Sequence, residues 1–202
     1  MGKKFTEREK EQIRLQLLEI GKNMFGIFGL KKTSIASLTK AVGIAQGTFY
    51  LFFSSKEELY FEILGMEEEQ VRQSLLTDYL TSPAFTKEEF KQFLQRAIAI
   101  IDTHPIFRQV YEEGVLEQLL RRLPPEKLEQ HMAKDSNVFL PLIQRWQQEG
   151  KMVKLDPELI ISVIRSLILL TLQKKMIGEE LYQPTIELYI DFIADGLMEK
   201  GD

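Results

Sequence analysis

The 202-residue chain has no cysteine and only two histidines, His104 and His131. The first absence removes disulfides, thiolate nucleophiles and thiolate metal sites; the second leaves too few imidazoles for a histidine metal cluster. Glycine-rich phosphate loops, HExxH and paired-aspartate metal patterns are missing too. His104, beside Pro105, reads as a helix-end or core histidine rather than a base, and Glu67 to Glu69 as a solvated face. The sequence therefore predicts no enzyme, no cofactor and no metal. Long apolar runs are also lacking. The most apolar stretch, Ser166 to Gln173, lies between Arg165 and Lys174 and falls far short of the roughly 20 residues that span a bilayer. The first residues, MGKKFTEREKEQ, are charged and hold no apolar signal core. A soluble, cytoplasmic protein with no membrane partner is expected.

What is present is helical periodicity on a chain that is 44% hydrophobic. No segment alternates like a strand, so an all-α fold of about nine helices is expected. Net charge is −4, but it is unevenly placed. Residues 1–65 hold ten Lys and Arg against seven Asp and Glu, giving +3; residues 66–202 hold sixteen against twenty-three, giving −7. A basic N-terminal part suits contact with phosphates.

That part contains TSIASLTKAVGIAQGTFYLFFSSKEEL, Thr33 to Leu59. Thr33 and Ser34 can cap a helix start, and Ile35, Leu38 and Val42 recur at helical spacing. Gly43 follows, where a helix end favours positive φ. A second short helix is predicted over Ala45 to Phe52. Two helices joined by a short turn with glycine form a helix-turn-helix, here spanning about 34–53, whose second helix enters a DNA major groove. By spacing alone, a plain helical hairpin fits equally. Ile35, Leu38, Ile44, Phe49 and Phe53 are predicted to face inward, leaving Gln46, Thr48 and Tyr50 outside. Gln46 and Thr48 lie in the first turn, where base edges are read, and glutamine can pair with adenine. Gly47 either admits close approach of the DNA backbone or fills a tight helix crossing. Tyr50 offers a hydroxyl to a phosphate. Lys56 offers a point charge, and Thr33 with Ser34 a hydroxyl beside helix N-terminal amides.

The TS start, KAVGI, GTFY with its following aromatic pair, and SKEEL resemble the DNA-binding domain of TetR-family, tetracycline-repressor-like, transcriptional regulators. The motifs cover about the first third of the chain. The resemblance supports DNA contacts for Thr33, Ser34, Gln46, Gly47, Thr48, Tyr50 and Lys56. Two positions depart from it. Ala45 stands where serine or threonine is common, and Leu51 where histidine is frequent; Leu51 can touch a thymine methyl but cannot hydrogen-bond.

Elsewhere, Thr6 is predicted to cap a first helix with the stripe Ile13, Leu17, Ile20, Met24 and Phe28, ended by Gly29. Lys3, Lys4, Arg8 and Lys10 lie at its start. Ser55 with Glu58 predicts a capping box opening a long helix through Leu59, Ile63, Met66 and Val71 to about Tyr79. Thr81-Ser82-Pro83 breaks the chain. Thr86 with Glu89 opens the next helix, which carries Phe90, Phe93, Leu94, Ala97, Ile98 and Ile101. Pro105 restarts a helix, Pro124-Pro125 marks another break, and Pro141 predicts a kink or a fresh start near Asn137. Pro157 opens a strongly apolar helix to about Lys175, and Gln183-Pro184 the last one. The expected domains are 1–56 for DNA binding and 57–202 for effector binding and dimerisation.

Ile160, Ile161, Val163, Ile164, Leu167, Ile168, Leu169, Leu170 and Leu172 cannot all face one core of this size. The family resemblance implies that residues 157–199 pair with their copies in a homodimer. It also implies an effector pocket in the middle of the chain, with Phe93, Phe107, Tyr111, Phe139 and Trp146 as candidate lining. Their apolar character suits a hydrophobic or amphipathic effector. The function so read is a dimeric repressor, released from a palindromic double-stranded operator by a small effector. The alternative is a helical ligand-binding or scaffold protein that has lost DNA binding.

Overall fold

A computed structural model describes residues 5–80, 85–112, 114–171 and 174–199. These form eleven helices: α1 (Glu7–Lys32), α2 (Ile35–Val42), α3 (Gln46–Phe49), α4 (Lys56–Leu80), α5 (Lys87–Thr103), α6 (Pro105–Glu112), α7 (Val115–Arg122), α8 (Pro125–Gln148), α9 (Pro157–Thr171), α10 (Lys174–Ile177) and α11 (Glu179–Leu197). The all-α expectation holds. Pairing between backbone segments among the described residues is confined to one bridge, Met152 with Met198. The break predicted at Thr81-Ser82-Pro83 and the lysines at positions 3 and 4 lie outside the described residues.

The chain forms two compact units, and their borders differ from the expected division at residue 56. One comprises residues 1–69 with 104–125; the other comprises 70–103 with 126–202. The first therefore holds α1–α3, the start of α4, α6 and α7. The second holds the end of α4, α5 and α8–α11.

In the first unit, α1 begins with a reciprocal cap. Thr6 Oγ1 accepts from Glu9 N–H at 3.2 Å, and Glu9 Oε2 accepts from Thr6 N–H at 2.8 Å. Gly29 breaks the helical path with φ 78° and ψ 165°, a conformation open mainly to glycine. The buried stripe begins as predicted, at Ile13 and Leu17, and then departs from it. Phe28 is 53% exposed, whereas Phe25, Leu17 and Leu30 are fully enclosed. The contact line runs through Leu17, Gly21 and Phe25 because Gly21 has no side chain: a Cβ there would lie 2.9 Å from Ile63 Cδ1. α4 thus crosses α1 at Gly21, and Phe25 meets Tyr60 edge-on with centroids 5.1 Å apart. Met66, predicted for the α4 core, is exposed, while Tyr60 and Leu64 are buried.

α6 is fastened to this pair by buried polar groups. Tyr60 Oη donates to Ile106 O at 3.0 Å, and Gln109 Nε2 to Gly26 O at 3.1 Å. Glu67 is not solvated as expected but 4% exposed. A buried carboxylate needs partners, and it has two: Lys22 Nζ at 2.7 Å and His104 Nε2 at 3.1 Å. His104 lies at the join of α5 and α6, as its neighbouring proline predicted.

In the second unit, Thr86 and Glu89 form the predicted capping box at 2.7 and 3.2 Å. Phe90, Phe93, Leu94, Ala97 and Ile98 are all buried, in one cluster with Leu142, Ile143 and Trp146 of α8, Ile160, Ile161 and Leu167 of α9, and Ile186 and Ile190 of α11. At Pro141 no fresh helix starts, because α8 continues through it, and α11 starts at Glu179 after Gly178, so Pro184 lies within it rather than at its start.

Candidate nucleic-acid interface

The helix-turn-helix is built by local rules. Ser34 Oγ accepts from Ser37 N–H at 3.0 Å, and Ser37 Oγ accepts from Ser34 N–H at 3.1 Å, closing a reciprocal cap on α2. Gly43 ends α2 in the left-handed region, φ 79° and ψ 29°. Ile44 N–H then reaches back to Thr39 O at 3.0 Å, the bond that closes a glycine-terminated helix. The regular part of α3 is shorter than predicted. After Phe49 the chain continues in tight turns, with Leu51 N–H on Thr48 O at 3.1 Å and Phe52 N–H on Phe49 O at 3.0 Å. Ala45 supplies no side-chain cap to α3.

Packing orients the reading face. Leu38 and Phe49 are fully buried, and Phe53 is 2% exposed. Burying a side chain such as Phe49 contributes about 1.5–3 kcal/mol. That anchor turns Gln46, Gly47, Tyr50 and Leu51 outward and leaves Thr48 half-buried. Tyr50 is 56% exposed and rests edge-on against Phe49 at 5.6 Å. An added Cβ at Gly47 would meet nothing within 4 Å. Gly47 therefore does not fill a helix crossing; it leaves open surface where another molecule can come close.

Two expected contact residues point inward instead. Thr33 is 1% exposed, and its hydroxyl donates to Gly29 O at 2.8 Å. Lys56 is half-buried, and its ammonium reaches Leu30 O at 2.7 Å and Thr33 O at 3.0 Å. Both bind carbonyls at the end of α1; Gly29 O also takes the Thr33 backbone N–H at 3.2 Å. Ser34, by contrast, stays exposed. The Ser55–Glu58 cap also differs from expectation by one residue: Ser55 Oγ accepts from Glu58 N–H at 3.1 Å, but Glu58 Oε2 takes Ser54 N–H at 2.6 Å. Nothing in the lysine's sequence position signals its carbonyl contacts, which join residues about 25 apart.

Of the candidate effector residues, Phe93, Phe139 and Trp146 share the core cluster of the second unit. Phe93 and Phe139 meet edge-on at 6.3 Å in the second unit. Trp146 stacks on Phe85 at 3.9 Å, a partner the sequence did not reveal. Phe107 belongs to the first unit, 4.4 Å from the His104 ring. The Tyr111 side chain lies outside the described residues. No group of three or more potential metal ligands occurs among the described residues, and no helix there is long and apolar enough to cross a membrane.

Residues 17–63 match the family described as bacterial regulatory proteins, tetR family. The HTH-type transcriptional regulator AcrR of Shigella flexneri is 29% identical over 66 residues, 33% of this chain and 31% of that relative; the chain thus spans about a third of that protein's length in the match. The uncharacterised HTH-type transcriptional regulator YhgD of Bacillus subtilis (strain 168) is 24% identical over 189 residues, covering 86% of this chain and 92% of the relative. The crystal structure of a TetR-family regulator from Pectobacterium atrosepticum superposes with a TM-score of 0.75 at 18% identity, over 98% of this chain and all of that one. That likeness establishes the fold, and the stretch that carries the helix-turn-helix, with its outward Gln46, Gly47 and Tyr50, is the part that matches the tetR family of bacterial regulatory proteins.

Proposed function

We propose that this regulator is a cytoplasmic, non-catalytic repressor that binds a near-palindromic operator as a homodimer and leaves it when a small apolar effector binds. One observation carries the DNA reading: α3 shows solvent Gln46, an unobstructed Gly47 and Tyr50 while Phe49 anchors it from behind. Ser34, Gln46, Gly47, Thr48, Tyr50 and Leu51 make the contacts. Thr33 and Lys56 act one step back, by holding the end of α1 against the start of α4. A symmetric dimer places its two recognition helices about 34 Å apart. Selection from random duplexes should therefore enrich two inverted half-sites about one helical turn apart. Enrichment of a single asymmetric site, or of none, would sink the operator reading.

The dimer reading draws on α9 and α11. Their buried sides take up Ile160, Ile161, Leu167, Ile186 and Ile190, yet Leu159, Leu169, Leu181, Leu188, Tyr189 and Phe192 remain about half exposed or more. Apolar surface so concentrated on one helix pair marks an association site. The effector reading draws on the aromatic core around Phe93, Phe139 and Trp146. A ligand shifts the equilibrium only by its preference for one conformation. The chain passes between the two units at residues 69–70, 103–104 and 125–126, so α4 is one of three covalent routes for that preference rather than the sole one. Thermal stabilisation by apolar metabolites, followed by operator release with the hits, checks this; stabilisation by polar compounds alone would refute it.

A further inference from the structure

A second basic site lies in the first unit, away from α3. The end of α1 and the side of α7 enclose an open cleft of about 370 Å³, lined by Lys31, Gly114, Glu117, Gln118, Arg121 and Arg122. Among the described residues, the lining brings Lys31, Arg121 and Arg122 together with the carboxylate Glu117. That carboxylate, Glu117, stands 4.0 Å from Arg121, and both are about four-fifths exposed, so their pairing is weak. The Gln118 amide is engaged on Glu57 Oε1 at 2.7 Å, which fixes α7 against the start of α4. Helix ends such as those of α1 and α7 favour cations by themselves. They do not require that cations of two helices converge on a single hollow.

The location decides the ligand. Lys31 precedes Ser34 by three residues, a span of at most about 11 Å, and Ser34 opens α2 on the exposed side of the helix-turn-helix. Lys56 locks this short segment through Leu30 O and Thr33 O. The cleft is therefore held rigidly beside the α2 start, within the same unit. Arginine suits bidentate contact with a phosphate. We propose that Lys31, Arg121 and Arg122 bind backbone phosphates of duplex DNA beyond the base pairs read by α3, so that α7 extends the footprint of each protomer. This rests on the DNA-binding reading above.

The probe is a mixed-sequence duplex of about 40 base pairs, long enough to reach past two recognition helices set about 10 base pairs apart. Its affinity is measured across potassium chloride concentrations for three proteins: wild type, Arg121→Gln with Arg122→Gln, and a control, Lys134→Gln with Lys154→Gln. The control removes the same charge from exposed positions of the second unit. Losing two phosphate contacts should flatten the log–log salt slope by about 1.8 per protomer relative to the control. Lys31→Gln alone should flatten it by about half as much. Equal slopes for the arginine variant and the control overturn the proposal. So does inorganic pyrophosphate that raises the melting temperature of wild type but not of the arginine variant while the DNA slopes stay equal, because the cleft would then hold a free anion. Absence of any duplex binding by wild type would instead defeat the DNA reading itself.

Discussion

α3 and α11 both turn a face to solvent, and the two faces are opposites. α3 shows an amide, an open glycine and a phenol, one turn of helix fixed by Phe49 behind it. α11 shows Leu181, Leu188, Tyr189 and Phe192, on a helix fixed by Tyr182, Ile186, Ile190 and Ala194 behind them. Hydrogen-bonding groups on a rigid, narrow element suit reading a pattern; contiguous apolar groups suit burial against a like surface. Under the proposed function the contrast separates recognition from assembly within one chain, so that each should be open to perturbation without the other.

The largest effect should come from charge on the α11 face. Leu188→Glu with Phe192→Glu should give a folded monomer in sedimentation, with operator affinity falling by orders of magnitude as the second half-site contact is lost. Ile190→Glu is the contrasting change. Ile190 is 2% exposed, so a buried, unpaired carboxylate should unfold the second unit rather than merely separate protomers. A wild type that sediments as a monomer at micromolar concentration would erase the distinction between the two faces.

An intermediate effect separates reading from support within the first unit. Gln46→Ala should relax preference at one base pair per half-site by about 1–3 kcal/mol while leaving melting unchanged. Lys56→Ala should do the reverse. It removes a cation from carbonyls at 2.7 and 3.0 Å, so melting should fall by the equivalent of about 1.5–3 kcal/mol. Its salt slope should stay near that of wild type, because the ammonium is already held by backbone carbonyls. A slope about one unit flatter with unchanged melting would restore Lys56 to the contact surface.

The smallest effect concerns Tyr182. Burial first, and the Asp102 carboxylate next, push its phenol up to about 12. The native state thus keeps a proton that the unfolded chain gives up near 10. This contribution to stability is complete below pH 10 and disappears as pH rises through about 12, at up to about 1.4 kcal/mol per pH unit. Tyr182→Phe should make the alkaline limb of the stability curve shallower between those limits; an unchanged limb in denaturant titrations would contradict it.

Much of this was legible from residue patterns, because it is decided locally. The Thr6, Ser34 and Thr86 caps, the Gly43 turn and the inward set Leu38, Phe49 and Phe53 depend on neighbours within a few positions. What escaped depends on contacts far along the chain. Phe25 displaces Phe28 from the core because a glycine four residues earlier lets α4 approach. Glu67 is buried because α6 returns to deliver His104. Lys56 faces carbonyls about 25 residues away. On α9 and α11, apolar content signalled two-sided helices, but not which side is already covered: Leu167 and Ile190 belong to the core, Leu188 and Phe192 to the open face. Pro184 misled for another reason: the helix already begins at Glu179 after Gly178, so the proline is its sixth residue and not its opening one.

The return of residues 104–125 to the first unit limits how this protein can be recombined. A hybrid made by one cut after α4 would carry the reading helices away from the segment that supplies Ile106 O to Tyr60 and the Gln109 amide to Gly26. Exchange of the second unit between relatives would therefore have to move a discontinuous cassette, with seams near residues 69, 103 and 125.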